Sequence, residues 1–166
     1  MNEYSIKTER LEYFFRTYYS TIFRVAFMEV KSHADAEDVI QEVFIKLLRY
    51  SPEFESHEHE KAWMIRTTIN LCKDFLKSKW NQVTVGMENI QEKEWNNFKL
   101  PYPEQKEILQ NLSELPEKYR HPLYLFYYED YSIKEISGIL EVPENTVKTR
   151  LKRGRQELKK LLSDER

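Results

Sequence analysis

The sequence has few of the residues that cross-link a chain or interrupt its helices. Its 166 residues include one cysteine, three glycines and six prolines. The single cysteine, Cys72, leaves no partner for an intrachain disulfide, so a reducing, cytoplasmic compartment is expected. The scarcity of Gly and Pro leaves few turn signals, and charged residues make up 33% of the chain. This composition favours an all-helical fold over one built from strands.

Signals for export, for membrane spans and for catalysis are also missing. The start, "MNEYSIKTERLEYFF", has neither the basic residues nor the apolar run of a secretory signal, and no segment approaches the roughly 18 apolar residues of a membrane span. There is no Gly-rich phosphate loop and no convincing nucleophile and base, so neither an enzyme nor a cofactor is expected. His57 and His59 lack nearby Cys residues or a second His pair, so no metal site is predicted.

Apolar residues recur at helical spacing in three segments of residues 1–80, which predicts a three-helix bundle. Ser32 is expected to cap the second helix and Pro52 to end it. "EFESHEHE" is predicted to be a polar connector before the third helix. The residues expected to face the core are Leu11, Phe14, Phe15, Tyr18, Ile22, Val25 and Ala26, then Val39, Ile40, Val43, Phe44, Leu47 and Leu48, then Trp63, Ile65, Ile69, Cys72, Phe75 and Leu76.

The helical pattern stops at residues 81–103, which predicts a flexible linker, and resumes in residues 104–166 as a second small helical domain. A short helix using Ile108, Leu109 and Leu112 is expected first, followed by a helix that begins near Pro116. Ser132 and Glu135 match a capping box, and Pro143 opens a final basic helix, so the last two helices form a helix-turn-helix. Aromatic residues just before these two helices are expected to pack in the core: Tyr124, Phe126, Tyr127, Tyr128 and Tyr131.

Charge is distributed unevenly along the chain. Residues Asn145 to Lys160 contain seven basic residues and one acidic residue, a net charge of +6, so the rest of the chain carries −8 of the formal total of −2. A basic segment suits a polyanion, whereas the acidic remainder suits a basic protein surface. Two kinds of partner are therefore expected.

The final helix has an apolar and a polar face. Val147, Leu151, Gly154, Leu158 and Leu161 are expected to face inward, and Asn145, Thr149, Lys152, Arg153 and Gln156 outward. Asn and Gln match adenine edges and Arg matches guanine, so the outward face is typical of a major-groove reader. The alternative, that basic residues only complement the helix dipole, accounts for Lys159 and Lys160 but poorly for Lys148 to Arg155 at the start and middle of the helix.

Several ordered motifs resemble one family. "LPEKYRHPLYLFYYEDYSIKEISGILEVPENTVKTRLKRGRQELKKLL" resembles the fourth conserved region of bacterial sigma factors, and "DAEDVIQEVFIKLLRY" with "KAWMIRTTINLCKDFL" resembles the second. With only these two regions and a short linker, the chain is similar to the extracytoplasmic-function (ECF) subfamily. The resemblance implies a non-enzymatic factor that binds core RNA polymerase, directs it to promoter DNA and helps to open the duplex. It also implies an anti-sigma partner, often membrane-bound.

The resemblance carries three sets of residues onto this chain. Contacts to the promoter element near −35 fall on Asn145, Thr146, Lys148, Thr149, Arg150, Lys152 and Arg153. Contacts to the element near −10 fall on Asn70, Asp74, Lys77, Lys79, Trp80 and Asn81. Contacts to the polymerase fall on Asp35, Asp38, Gln41 and Glu42. Trp80 is either a stacking platform for an extruded base or an edge of the core, and the sequence leaves both open.

The chain departs from the family at three positions. Asp130 and Glu141 stand at turns where the family usually has Gly, so reshaping of one or both corners is expected. Gly154 stands where the family favours Ala, which should weaken the last helix. An alternative hypothesis also remains: a stand-alone helix-turn-helix regulator whose N-terminal bundle serves for dimerisation or sensing.

Overall fold

The computed structural model describes residues 3–82 and 105–164, and in these residues every regular element is a helix. Seven α-helices and one π-helical segment occur there, and no strand does. The all-α prediction is therefore confirmed. The chain divides into two compact units, Met1–Asn97 and Phe98–Arg166. The predicted linker, 81–103, lies outside the described residues except for Asn81 and Gln82, which belong to the end of a helix.

The first unit is a bundle of α1 (Glu3–Val30), α2 (His33–Tyr50) and α3 (His57–Gln82), each packed on the other two. The core lies where all three meet, at fully buried residues such as Ile22, Val43 and Ile65. The predicted cap is confirmed, because Ser32 accepts a hydrogen bond from the backbone N–H of Asp35 at 3.3 Å. Burial of aliphatic and aromatic side chains at this three-way junction is the main force that holds the three helices together.

Two residues expected in this core are exposed. Phe15 is 49% exposed and Leu48 is 43% exposed, so the core positions predicted for them are wrong. Phe15 instead rests against the rings of Tyr19 and Phe44, at centroid distances of 4.8 and 5.6 Å. Trp63 is half-buried and packs edge-on against Phe54, in keeping with the prediction that it is a core residue.

The segment "EFESHEHE" is not a simple connector, because α3 begins at His57 and Glu60 ties α1 to α3. One carboxylate oxygen of Glu60 accepts hydrogen bonds from the hydroxyls of Tyr18 at 2.7 Å and Tyr13 at 3.0 Å. Burial, and then the hydrogen bond and charge of Glu60, raise the pKa of both tyrosines above the ordinary value. The periodicity of apolar residues could not detect this polar anchor.

The second unit contains α4 (Gln105–Ser113), α5 (Glu117–Leu123), a π-helical segment (Tyr124–Tyr128), α6 (Ile133–Leu140) and α7 (Glu144–Asp164). α5 and α6 both pack on α7. Ser132 and Glu135 form the predicted capping box, with both reciprocal hydrogen bonds at 3.1 Å. Helix α6, a tight turn and α7 thus form the expected helix-turn-helix.

The helix expected after Pro116 changes its hydrogen-bond register partway along. Pro122 lies inside α5, where it supplies no backbone N–H to the helical ladder. The next segment is π-helical, and the Glu129 N–H reaches back to the Tyr124 carbonyl at 3.2 Å. Tyr124 and Leu125 are buried as a result, whereas Tyr127 is 56% exposed, so its predicted core position is wrong. Ile108, also expected inside, is 53% exposed.

Four non-glycine residues adopt left-handed backbone conformations at helix ends: Lys31, Ser51, Asp130 and Glu141. Asp130 and Glu141, at φ 58° and 57°, keep the conformation that glycine would adopt. The corners are therefore not reshaped, contrary to the expectation from the sequence. Each left-handed residue costs roughly 1 kcal/mol, which the packing of the adjacent helices must offset.

Candidate nucleic-acid interface

The final helix presents the two faces that its sequence predicts. Val147, Leu151 and Gly154 are buried against the rest of the second unit, and Leu158 and Leu161 are half-buried. The side chains of Asn145, Lys148, Thr149, Lys152 and Arg153 are exposed, and those of Thr146 and Arg150 are half-buried. The residues assigned to the −35 element thus lie along one accessible side of α7.

Five of these residues line a single open cleft of about 290 Å³: Asn145, Thr146, Thr149, Arg150 and Arg153. The opposite wall is formed by Lys118 and Tyr119, at the start of α5. The sequence reasoning did not single out either residue, because they belong to a different helix, 27 positions before Asn145 in the case of Lys118. Lys148 and Lys152 do not line this cleft.

Gly154 explains why α5 and α7 come so close. A Cβ atom at position 154 would lie 3.0 Å from Leu123 Cδ1 and 3.2 Å from Tyr119 Cβ. Absence of that Cβ lets the α7 backbone approach the side chains of α5, which places Tyr119 against the final helix. Gly154 therefore serves a packing role that the helix propensity of glycine alone does not reveal.

A second exposed polar face lies on α3. Asn70, Asp74 and Lys77 are all exposed and follow one another at intervals of four and three residues, so they share one side of the helix. Lys73 is exposed beside them and was not singled out from the sequence. Lys79, Trp80 and Asn81 continue the same helix, but their side chains lie outside the described residues. Both interpretations of Trp80 therefore stay open.

A third face, on α2, combines acidic and apolar residues. Asp38, Gln41 and Glu42 are exposed and share one side of the helix, whereas Asp35 is half-buried in the first turn beside the Ser32 cap. The same side continues with Ile45 and Leu48, which are 41% and 43% exposed. We call this side of α2, Asp38 to Leu48, the acidic-apolar stripe. The sequence pattern does not predict this apolar half, because periodicity assigns Leu48 to the core and does not single out Ile45.

The histidines of "HEHE" have protein partners in this structure. The His57 ring nitrogen Nδ1 lies 3.0 Å from the Tyr13 hydroxyl, and His59 Nδ1 accepts a hydrogen bond from the backbone N–H of Glu55 at 3.2 Å. Within residues 3–82 and 105–164, no three His, Cys, Asp or Glu side chains are placed to share a metal ion. Nor does any helix in these ranges have the length and apolar character needed to span a bilayer.

Comparison with known proteins identifies both halves of the chain. Residues 14–82 match the family model described as Sigma-70 region 2, and residues 105–158 match the model described as Sigma-70, region 4. The first match contains α2, α3 and most of α1, and the second contains α4 to α6 and the part of α7 that precedes residue 159. These are the two regions that the sequence motifs resemble.

Curated relatives match over nearly the whole length. The chain is 30% identical over 150 residues to the ECF RNA polymerase sigma factor SigM of Bacillus subtilis, covering 89% of this chain and 91% of that protein. It is 29% identical over 160 residues to the ECF RNA polymerase sigma factor SigW of the same organism, and the match covers 89% of this chain and 86% of SigW. The chain belongs to the family of ECF RNA polymerase sigma factors, and the resemblance noted from the sequence is confirmed.

Solved structures share the fold. The sigma factor RpoE in complex with the anti-sigma factor NepR from Bartonella quintana is 20% identical, covers 88% of this chain and 92% of its own, and gives a TM-score of 0.67. CnrH, in complex with the cytosolic domain of CnrY, is 17% identical and gives a TM-score of 0.69. The match covers 96% of this chain and 91% of CnrH. At these identities the likeness concerns the fold.

Proposed function

We propose that this chain is a promoter-specificity subunit that binds core RNA polymerase, directs it to promoters with particular −35 and −10 elements, and assists opening of the DNA. The observation that carries the proposal is the accessible side of α7, where Asn145 and Arg153 stand beside other polar and basic side chains. Amide and guanidinium groups read purine edges in the major groove, and the surrounding cations hold phosphates. The chain itself catalyses no reaction.

We assign the −10 element to the exposed face of α3. Asn70 and Lys77 offer an amide and a cation on one side of the helix, which suits contact with the bases and backbone of a separated strand. Capture of an extruded base supplies the free energy that keeps a short segment open without ATP hydrolysis. Asp74, on the same face, would repel phosphate and is therefore assigned to a base edge, since a carboxylate accepts from an amino group.

We assign polymerase binding to the acidic-apolar stripe of α2. Asp38 and Glu42 supply negative charge for a basic partner surface, and the exposed Ile45 and Leu48 supply apolar area beside it. Apolar side chains at the centre of an interface with charges at its rim are the usual arrangement in protein complexes.

We further propose that an anti-sigma factor controls the chain in the cytoplasm and that this partner is anchored at a membrane. The related structures of RpoE and CnrH each contain a partner, NepR and the cytosolic domain of CnrY. An inhibitor that covers the polar side of α7 or the acidic-apolar stripe would prevent promoter binding or polymerase binding, respectively.

The deciding experiment is run-off transcription with purified core RNA polymerase on a mixed genomic template, with and without the protein. New discrete start sites that appear only with the protein establish the function, and the shared sequences upstream of them give the −35 and −10 elements. No activation, together with sequence-specific duplex binding by the protein alone, would replace the proposal with a stand-alone regulator.

A further inference from the structure

Lys118 is the cation that completes the cleft beside α7, and it lies outside the helix-turn-helix that reads the bases. It is exposed on the first turn of α5, and its side chain lines the same cleft as Arg150 and Arg153. Three cations from two helices therefore surround one open depression. Glu117 and Glu144, the acidic residues of the first turns of α5 and α7, do not line it.

Close packing fixes the position of Lys118 relative to the final helix. The next residue is Tyr119, whose Cβ would lie 3.2 Å from a Cβ added at Gly154. Tyr119 also lines the cleft. The Lys118 ammonium lies 5.0 Å from the centre of the Tyr119 ring, within the range of a cation–π contact. The cation is thus held at the side of α7 near the residues assigned to the bases.

We propose that the cleft between α5 and α7 binds a backbone phosphate of the promoter duplex and that Lys118 contacts this phosphate. The inference rests on the proposed function, which it deepens by adding a positioning contact from a second helix. The cleft is open on its outer side, as a continuous DNA strand requires, and it is bordered by the side chains assigned to base edges. A phosphate held there sets the depth and angle at which Asn145 and Arg153 enter the groove, because phosphate contacts fix register while base contacts specify sequence.

The test measures binding of a labelled promoter duplex to the holoenzyme formed from core polymerase and the full chain, across a range of salt concentrations. Lys118→Ala is expected to reduce the slope of log affinity against log salt by about 0.9, the counterion equivalent of one phosphate. At 0.15 M salt the affinity should fall about fivefold, because release of that many counterions accounts for this factor. The fall should be equal on promoters with altered −35 bases.

Control variants distinguish a specific contact between Lys118 and a phosphate from the nonspecific effect of losing one positive charge. Lys118→Arg should keep the slope, since it keeps the cation. Lys7→Ala removes an exposed lysine of α1, in the first unit and away from the cleft, and it should leave the slope unchanged. A slope for Lys118→Ala equal to that of the wild type, or losses that depend on the −35 bases, would overturn the inference. If the wild-type holoenzyme itself fails to bind promoters, the proposed function fails instead.

A second measurement locates the phosphate. Duplexes that carry a single neutral methylphosphonate are prepared for each backbone position of the −35 element. One position should weaken the wild type about fivefold while leaving Lys118→Ala unaffected, because the variant has already lost that contact. Equal losses for the variant and the wild type at every position would show that Lys118 contacts no backbone phosphate, and that its effect comes from a free anion or from general charge.

Discussion

At the scale of single residues, the two described glycines of the second unit lie in contrasting environments. Gly138, in α6, has no atom within 4 Å of the position of an added Cβ, whereas Gly154, in α7, would bring a Cβ to 3.0 Å from Leu123. Both substitutions to alanine remove the same unfavourable helix propensity. Only at position 154 must buried neighbours move, because Leu123 is 1% exposed.

We therefore expect Gly138→Ala to raise the free energy of unfolding of the second unit by about 0.5–1 kcal/mol. Gly154→Ala should lower it, because overpacking of a close helix contact costs about 1–3 kcal/mol. Hydrogen exchange on peptides from residues 105–164 of the full chain measures both. Equal stabilisation by the two substitutions would show that the α5–α7 contact can relax at no cost.

Tyr18 contributes a pH dependence to the stability of the first unit. Its folded pKa is raised by burial and by Glu60, so the folded protein holds this proton to higher pH than the unfolded chain does. The stabilisation is fully present below the unfolded pKa of about 10 and is lost as pH rises above it. Tyr18→Phe removes the titrating group together with a hydrogen bond to a carboxylate, worth about 1.5–3 kcal/mol.

At pH 8, Tyr18→Phe should have a lower free energy of unfolding than the wild type. Between pH 8 and pH 11, the free energy of unfolding of the variant should fall by less than that of the wild type. Urea unfolding followed by tryptophan fluorescence reports on this unit, since Trp63, Trp80 and Trp95 all belong to Met1–Asn97. Parallel losses in both proteins would mean that Tyr18 is not the group responsible.

At the scale of elements, we propose that α7 makes two kinds of DNA contact. Asn145→Ala and Arg153→Ala should each weaken binding at particular −35 bases by about 1–3 kcal/mol, because a bidentate base contact is lost. Lys159→Ala, near the end of the helix, should weaken binding to all sequences alike. Competition binding by the holoenzyme on a set of single-base −35 variants distinguishes the two patterns, and uniform losses for all three substitutions would refute the assignment to base edges.

Element boundaries were predictable where one residue type determines the local geometry. The Ser32 cap, the Ser132–Glu135 capping box and the α7 start after Pro143 all follow from local hydrogen-bonding chemistry. The π-helical segment after Pro122 and the left-handed Glu141 were not predictable, because tertiary packing offsets their local cost. Likewise, the cleft between Lys118 and α7 depends on two helices that are distant in sequence.

At the scale of the whole molecule, the two units present surfaces of different character. The basic side of α7 lies in the second unit, and the acidic-apolar stripe lies in the first. The fold class and family were predictable from periodicity and motifs across both units. The apolar half of the stripe was not, because periodicity assigns Leu48 to the core and cannot reveal that the folded bundle leaves its side chain exposed.

Reversal of charge at Asp38 and Glu42 to lysine should abolish binding to core polymerase while leaving the bundle folded, because both side chains are exposed and like charges would then meet across the interface. The same reversal at Glu9 and Glu12, exposed on α1, is the matched control and should retain binding. Co-purification with core polymerase and circular dichroism measure the two properties. Retained binding by the α2 variant would refute this docking face.

Cys72 provides a chemical probe of local opening in the first unit. The thiol is completely buried in α3 and is the only one in the sequence. A thiol reagent can therefore modify the native protein only during openings that expose this part of the first unit, and the rate of modification measures how often they occur. Motion confined to the second unit leaves no trace in that rate. A partner that clamps the three-helix bundle should slow the modification, whereas one that holds only α7 should not.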